Sequence, residues 1–396
     1  MALLRQITYF SKIYFFFMVL VSISGCTSIS YVIQGGLGQL AIYNKEKTLK
    51  EALEDPYLAE TTKEQLRWIP EIKKDIHEVM GLEATSNYGT FVDLKRKYVV
   101  WSITVAEPYL LKQKEWSFPI VGSFPYLGFF SEDTAKSWAK DYERDGKDVF
   151  VRGVSAYSSL GYFRDPVLSS MLSGKKQDLV NLLYHETLHT HFYMKNEGTF
   201  NEQVASFFGD YGEKGWIERN YGKQSAELRE WEMERMDRRR FGVRLRHFSE
   251  DLKKLYMESQ DLTEDQKRAT KAAKFSEFQD LLAKEPWGTS LYKSSSSWIT
   301  NNAALMAFLT YEDDQDVFDL LYHRCGESLA AVYAALKEFS RIYPLEVMNA
   351  GEEKTPQRVL EKILNEIKVV SGVASSFRAV ASDGDCVQEI KKVRPI

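Results

Sequence analysis

The chain has 396 residues, with 52 Lys and Arg against 56 Asp and Glu and a net charge of −4. No basic excess is present to neutralise phosphates, so no nucleic-acid partner is expected. Hydrophobic residues make up 44%, which fits a substantial core in one large or two intimate domains. No internal repeat, P-loop or dinucleotide fingerprint is found.

In chain order, residues 1–25 read as a signal rather than as fold. Arg5 and Lys12 mark a basic start, and Ile13–Ile23 is an apolar run of 11 residues. That is too short to span a bilayer and suits the apolar region of a signal peptide. It ends in Ile23-Ser24-Gly25-Cys26, which resembles the lipobox of bacterial lipoproteins. The expectation is cleavage before Cys26, lipidation of that residue, and an exported protein anchored to a bacterial membrane; an uncleaved signal anchor is the alternative. Thr27, where an Asp would retain the protein, favours the outer membrane of a Gram-negative host. Apart from Cys26 the chain has only Cys325 and Cys386. A bridge between them would contribute about 4 kcal/mol by the chain-entropy model; two unpaired thiols are the other reading.

Ser28–Leu53 and Glu60–Met80 carry apolar residues at helical spacing, and Gly81 ends the second helix. The period then changes. Tyr98–Val105, Ser117–Phe130 and Val149–Val154 are β-branched or aromatic runs punctuated by Pro and Gly. They predict a small, mostly antiparallel sheet, interrupted by one helix at Glu132–Gly146 with Ser131 as its N-cap. The Tyr-rich segment 156–166 follows, with Asp165 before Pro166 read as a turn residue.

Asp178–Asn196 has no Gly or Pro and predicts a helix of about five turns. Within it lies His185-Glu186-Thr187-Leu188-His189. Histidines four apart project from one helix face, as two ligands of a tetrahedral zinc require. His191 points away. Glu202 is thirteen residues past His189, beyond a turn at Asn196–Thr199, on a second helix with Asn201 as its expected N-cap. Folding back would bring Glu202 to the same ion. The predicted ligands of one zinc are therefore His185, His189 and Glu202, with water in the fourth position and Glu186 as its general base.

Glu213–Glu285 is long, charged and nearly free of Pro and Gly. Opposite charges three and four apart, as at Glu234/Arg238, predict a charged α-hairpin with a solvated face. The cluster Arg235, Arg238, Arg239, Arg240, Arg244 and Arg246 allows an anionic partner as the rival reading. Thr263-x-x-Gln266 is a capping box. Asn301 and Asn302 open another helix as caps or as substrate-backbone contacts, and Gln315–Tyr343 and Pro356–Val370 complete an α-rich half. The fold class is α+β, α-rich: a zincin-like helix pair on a small sheet, with a long charged α-hairpin. The division is 1–25 signal, 26–212 sheet and zinc helices, 213–396 helical.

The HExxH run followed by Asn201-Glu202-Gln203-Val204-Ala205 resembles the gluzincin metallopeptidases. With Ala156-Tyr157-Ser158-Ser159-Leu160-Gly161-Tyr162-Phe163, Asp165-Pro166 and Phe200-Asn201-Glu202 added, the chain is similar to the bacterial family of predicted zinc aminopeptidases. The likeness is densest between Val149 and Asp210. It implies a zinc-dependent peptidase acting on peptides, in which the strand 148–155 would bind the substrate backbone. Tyr157, Tyr162 or, as a third candidate, Tyr311 would donate to the oxyanion. Ser206 departs from the thermolysin-like pattern, where an Asp buttresses a ligand His. Glu197 is a candidate to hold a substrate amine, and an endopeptidase stays open. The reading from a different class is a non-catalytic, lipid-anchored helical envelope scaffold that retains a zincin-like shape.

Overall fold

The computed structural model describes residues 26–82, 85–118, 122–157, 164–312 and 316–348, with 355–356, 358–362 and 364 beyond them. Tyr162 and Cys386 lie outside the described residues. Cys325 is buried and disulfide-bonded.

The fold is an α-rich α+β arrangement. Helix α1 (Cys26–Tyr43) leads into a short strand β1 (Lys47–Thr48), helix α2 (Leu49–Glu54) and helix α3 (Glu60–Met80). The single helix expected over 28–53 is thus broken, because residues 47 and 48 pair with Phe91 and Thr90 of β2 (Thr90–Val92). Thr48 then restarts the helix through a capping box with Glu51, a signal already present in the sequence. α3 has the expected bounds; Gly81, at φ 63°, closes it in the left-handed conformation.

β3 (Val100–Ala106) is the middle strand of an antiparallel sheet, flanked by β6 (Leu127–Phe129) and β7 (Asp148–Val154). β4 (Trp116–Phe118) and β5 (Gly122–Phe124) form a separate antiparallel pair. β8 (Val167–Leu168) joins β2 in parallel, a pairing that short runs between Pro and Gly did not announce. Helix α4 (Glu132–Arg144) begins at Ser131, whose Oγ accepts the Thr134 N–H.

β7 shows why the sheet holds its position. Its side chains alternate, as strand geometry demands. Val149 and Val151 join the apolar cluster under α4. Phe150 instead meets Phe308, and Arg152 lies over the Tyr311 ring, both on helix α9 (Asn302–Glu312). One face of the sheet is thereby packed under α4 and the other against α9.

The main core lies around helices α3, α5 (Lys176–His191), α6 (Gly198–Asn220), α10 (Asp316–Arg324) and α11 (Leu329–Met348). Leu66, Ile69, Ile72 and Ile76 supply the buried stripe of α3. The charged hairpin is helix α7 (Ala226–Glu258) with helix α8 (Glu264–Lys284), and it has its own apolar cluster of Phe241, Leu245, Phe248, Phe275 and Phe278. Its arginines behave differently from either expectation. Arg235 and Arg238 bind Asp210 on α6, Arg235 and Arg239 bind Asp319 on α10, and Arg240 and Arg244 pair with Glu285. Arg235, Arg238 and Arg239 therefore fasten the hairpin to α6 and α10, and Arg240 and Arg244 tie its first helix to the end of its second. Asn301 is an N-cap, accepting the Ala304 N–H at 2.9 Å, and its amide donates to the Val149 carbonyl. Asn302 is fully buried and ties α9 to Tyr256 and to the carbonyls of Glu107 and Pro108.

Candidate metal centre

The centre is built on the α5–α6 hairpin. Two glycines on α6 let the helices approach closely: a Cβ at Gly212 would sit 2.4 Å from the Tyr184 ring, and one at Gly209 3.0 Å from the Asn181 carbonyl. α5 ends at His191, five residues before the expected Asn196, and Phe192 is already extended. The cause is Asn201. Expected as an N-cap, it lies instead inside α6, which starts at Gly198. Its buried side chain accepts the Met194 N–H and donates to the Met194 carbonyl, both at 2.8 Å. The side chain thus replaces helical hydrogen bonds with a turn that reverses the chain.

That reversal brings the three predicted donors together. His185 Nε2 and His189 Nε2 are 3.2 Å apart, and Glu202 Oε2 lies 3.5 Å from the first and 3.7 Å from the second. Donors at about 2.0–2.1 Å from a tetrahedral ion are about 3.3–3.4 Å from one another. The triangle therefore fits a metal, and among the described residues this trio is the group that could hold one. His185 and Glu202 keep side-chain exposures of 17% and 12%, so the donors are mostly buried but still reachable from solvent.

The electrostatics follow from burial and proximity. Burial alone would raise the Glu202 carboxyl, but the two imidazoles outweigh it and hold it well below the usual carboxylate range. Burial would lower His189; the Glu202 and Glu186 carboxylates reverse the sign and raise it. Glu186 is 6% exposed and is raised by burial, with both histidines opposing. Its Oε2 is buried without a hydrogen-bond partner. An unpaired carboxylate oxygen on the residue next to His185 is where an attacking water would be received.

Glu202 is oriented by a residue that sequence spacing did not reveal. The Tyr126 hydroxyl, in the turn between β5 and β6, donates to Glu202 Oε1 at 2.9 Å and leaves Oε2 toward the histidines. The same turn is fixed to the α5–α6 connection, because Asn196 Oδ1 accepts the Ser123 N–H. Tyr311 also lies within electrostatic reach of Glu202 and Glu186; burial raises its hydroxyl, as do both charges. The Tyr157 hydroxyl donates to Gln39 of α1. His191 stands outside the trio, its Nδ1 at 3.0 Å from the Thr187 carbonyl. Glu197, the N-cap residue of α6, accepts a hydrogen bond from the Tyr343 hydroxyl at 2.9 Å. Asp165 is no exposed turn residue: it is 2% exposed, and its N–H donates to Asn87 Oδ1. Tyr88 was not singled out either. It is 2% exposed, its backbone has φ 56°, and its hydroxyl has no partner. One tyrosine among 22 carries no local signal of such a position.

No curated protein and no solved structure matches the chain. A family model described as "Putative aminopeptidase" matches residues 30–348. That span contains the whole donor set, Glu186 and Tyr126, and the chain belongs to this family.

Proposed function

We propose that the protein is a zinc-dependent aminopeptidase. The observation that carries this reading is the triangle of His185, His189 and Glu202 donors beside the unpaired Glu186 oxygen. Two imidazoles and one carboxylate are a donor set suited to zinc, which when bound would polarise a carbonyl and lower the pKa of its water toward neutrality. Glu186 Oε2 takes the proton of the attacking water and returns it to the leaving amine. Tyr126 holds the Glu202 carboxylate in register through its 2.9 Å hydrogen bond. The extended substrate lies along β7, an outer strand of its sheet whose Arg152 reaches Tyr311. Tyr311, close to both carboxylates, is the described tyrosine best placed to donate to the substrate carbonyl. Tyr157 would have to exchange its bond to Gln39 for that role, and Tyr162 remains a candidate. Glu197, raised by burial, is the proposed contact of the substrate amine.

The experiment joins metal analysis to peptide cleavage. Purified protein is expected to carry close to one zinc per chain and to cleave free peptides in preference to N-acetylated ones. Glu186→Gln should keep the zinc and lose turnover by about 10²–10⁴-fold. Undiminished cleavage by that variant, or blocked peptides cut as readily as free ones, would reject the general base or the aminopeptidase reading respectively.

A further inference from the structure

Helix α1 has the polarity of a surface helix turned inside out. Charged residues are 27% of the chain, yet the eighteen residues of α1 contain none. From Tyr31 onward its polar side chains bond to the body of the protein. The Tyr31 hydroxyl accepts the Gly128 N–H, Gln34 donates to the Gly128 carbonyl, Gln39 accepts from Tyr157, and the Tyr43 hydroxyl donates to the Arg164 carbonyl. The outward residues are Ile33, Gly36, Leu37, Leu40 and Ala41. Ile33, Leu37 and Leu40 are 55%, 63% and 54% exposed and, at i, i+4 and i+7, form one stripe. A helix in contact with water buries its apolar stripe and solvates its polar one. Here, among the described side chains, the outward face has no polar one.

We propose that this face of α1 is a membrane-docking surface that rests in the interfacial layer of a lipid bilayer, so that the body of the protein sits directly on the membrane. Three observations point to lipid as the occupant. Among the described residues no helix is long and apolar enough to cross a membrane, so α1 lies on a bilayer and does not span it. The helix begins at Cys26, immediately after the apolar run 13–23 and the small pair Ser24-Gly25. A tether at that residue keeps the stripe about 10–21 Å along the helix axis from its point of attachment, permanently within reach of lipid. A second copy of the chain is a poor fit, because three aliphatic side chains fall well short of the ~800 Å² per partner of a stable interface. The inner face of the same helix holds Tyr157 through Gln39, which fastens the docked helix to the body of the protein. The proposal is independent of the peptidase reading and rests on the exported, tethered reading of residues 1–26.

The test uses the full chain reconstituted into vesicles of phosphatidylethanolamine and phosphatidylglycerol. The photo-crosslinker p-benzoylphenylalanine replaces Ile33, Leu37 or Leu40 in turn, with Tyr57, 91% exposed in a loop, as the water-facing control. Irradiation should give lipid adducts, read by mass spectrometry, several-fold more often at 33, 37 and 40 than at 57. Adduct frequencies equal to the control, or crosslinks from these positions to a second copy or to the chain itself, would overturn the docking surface. The mass of the N-terminal peptide reports lipidation of Cys26 separately. A modified Cys26 without adducts sinks the docking surface alone, and adducts with an unmodified Cys26 sink the lipid anchor alone.

Discussion

A carboxylate with two oxygens can meet a metal in several ways, and Tyr126 selects one of them. By occupying Glu202 Oε1 at 2.9 Å it leaves Oε2 as the donor nearest both histidines. Tyr126→Phe should therefore weaken metal binding by about 10–100-fold while leaving the fold intact, since it removes an outer partner and not a ligand. Competition of the purified variant with a graded chelator would measure this, and an unchanged zinc affinity would show that Glu202 is held by packing alone. The contrast in what was foreseeable is physical. His185, Glu186 and His189 lie within one helical turn and a half, so 3.6-residue geometry made them a group. Tyr126 reaches Glu202 across 76 positions, and no local periodicity encodes such a pairing.

At the scale of elements, the hairpin depends on its turn. Asn201 satisfies both backbone groups of Met194 from inside α6. Asn201→Ala would leave the Met194 N–H buried and unpaired, while the carbonyl keeps the Glu197 N–H at 3.2 Å, at a cost of about 1–3 kcal/mol, and would let the turn drift. The expected outcome is a lower denaturation midpoint together with weaker metal binding, whereas Asn201→Asp, which keeps an acceptor for the N–H, should lose less of both. A variant that unfolds earlier yet binds zinc as before would separate the turn from the centre. Element types were largely legible: α3 and the capping box of α7's neighbour α8 follow directly from apolar spacing and Thr263-x-x-Gln266. Boundaries failed where a long-range partner replaced a local one. α5 stops early because Asn201 takes over its hydrogen bonds, and the first helix breaks because β2 claims residues 47 and 48.

The molecule as a whole is held by charge as well as by apolar burial, and one of those charges is uncomfortable. Asp210 is paired to Arg235 and Arg238, whereas Glu213, one turn further along α6, accepts from the Asn181 amide at 2.9 Å. Burial, reinforced by the charges of Asp210 and Asp178, pushes the Glu213 carboxyl up to about 8, against Asn181 and Arg238. The folded state thus holds this proton more tightly than the unfolded chain, whose ordinary value is 4.5. Its stabilising contribution is complete below that value and is lost as pH rises through about 8. Glu213→Gln, neutral throughout, should gain on the wild type between pH 5 and pH 9 in denaturant midpoint; a pH-independent difference would remove the ionisation of Glu213 from the account. The arginines that the sequence left open between solvent and an anionic partner prove to be internal braces, because their partners Asp210, Asp319 and Glu285 come from other helices. Charge spacing on α7 could not reveal partners contributed by its neighbours.

The metal donors are close in sequence as well as in space: His185 and Glu202 are seventeen positions apart, joined by one turn. Closing so short a loop costs little chain entropy compared with the sheet pairing of β2 with β8 across more than seventy residues. The hairpin can consequently nucleate before the rest of the topology is assembled, and an ion captured at that stage would act as a folding clamp for a chain whose sheets are still unpaired.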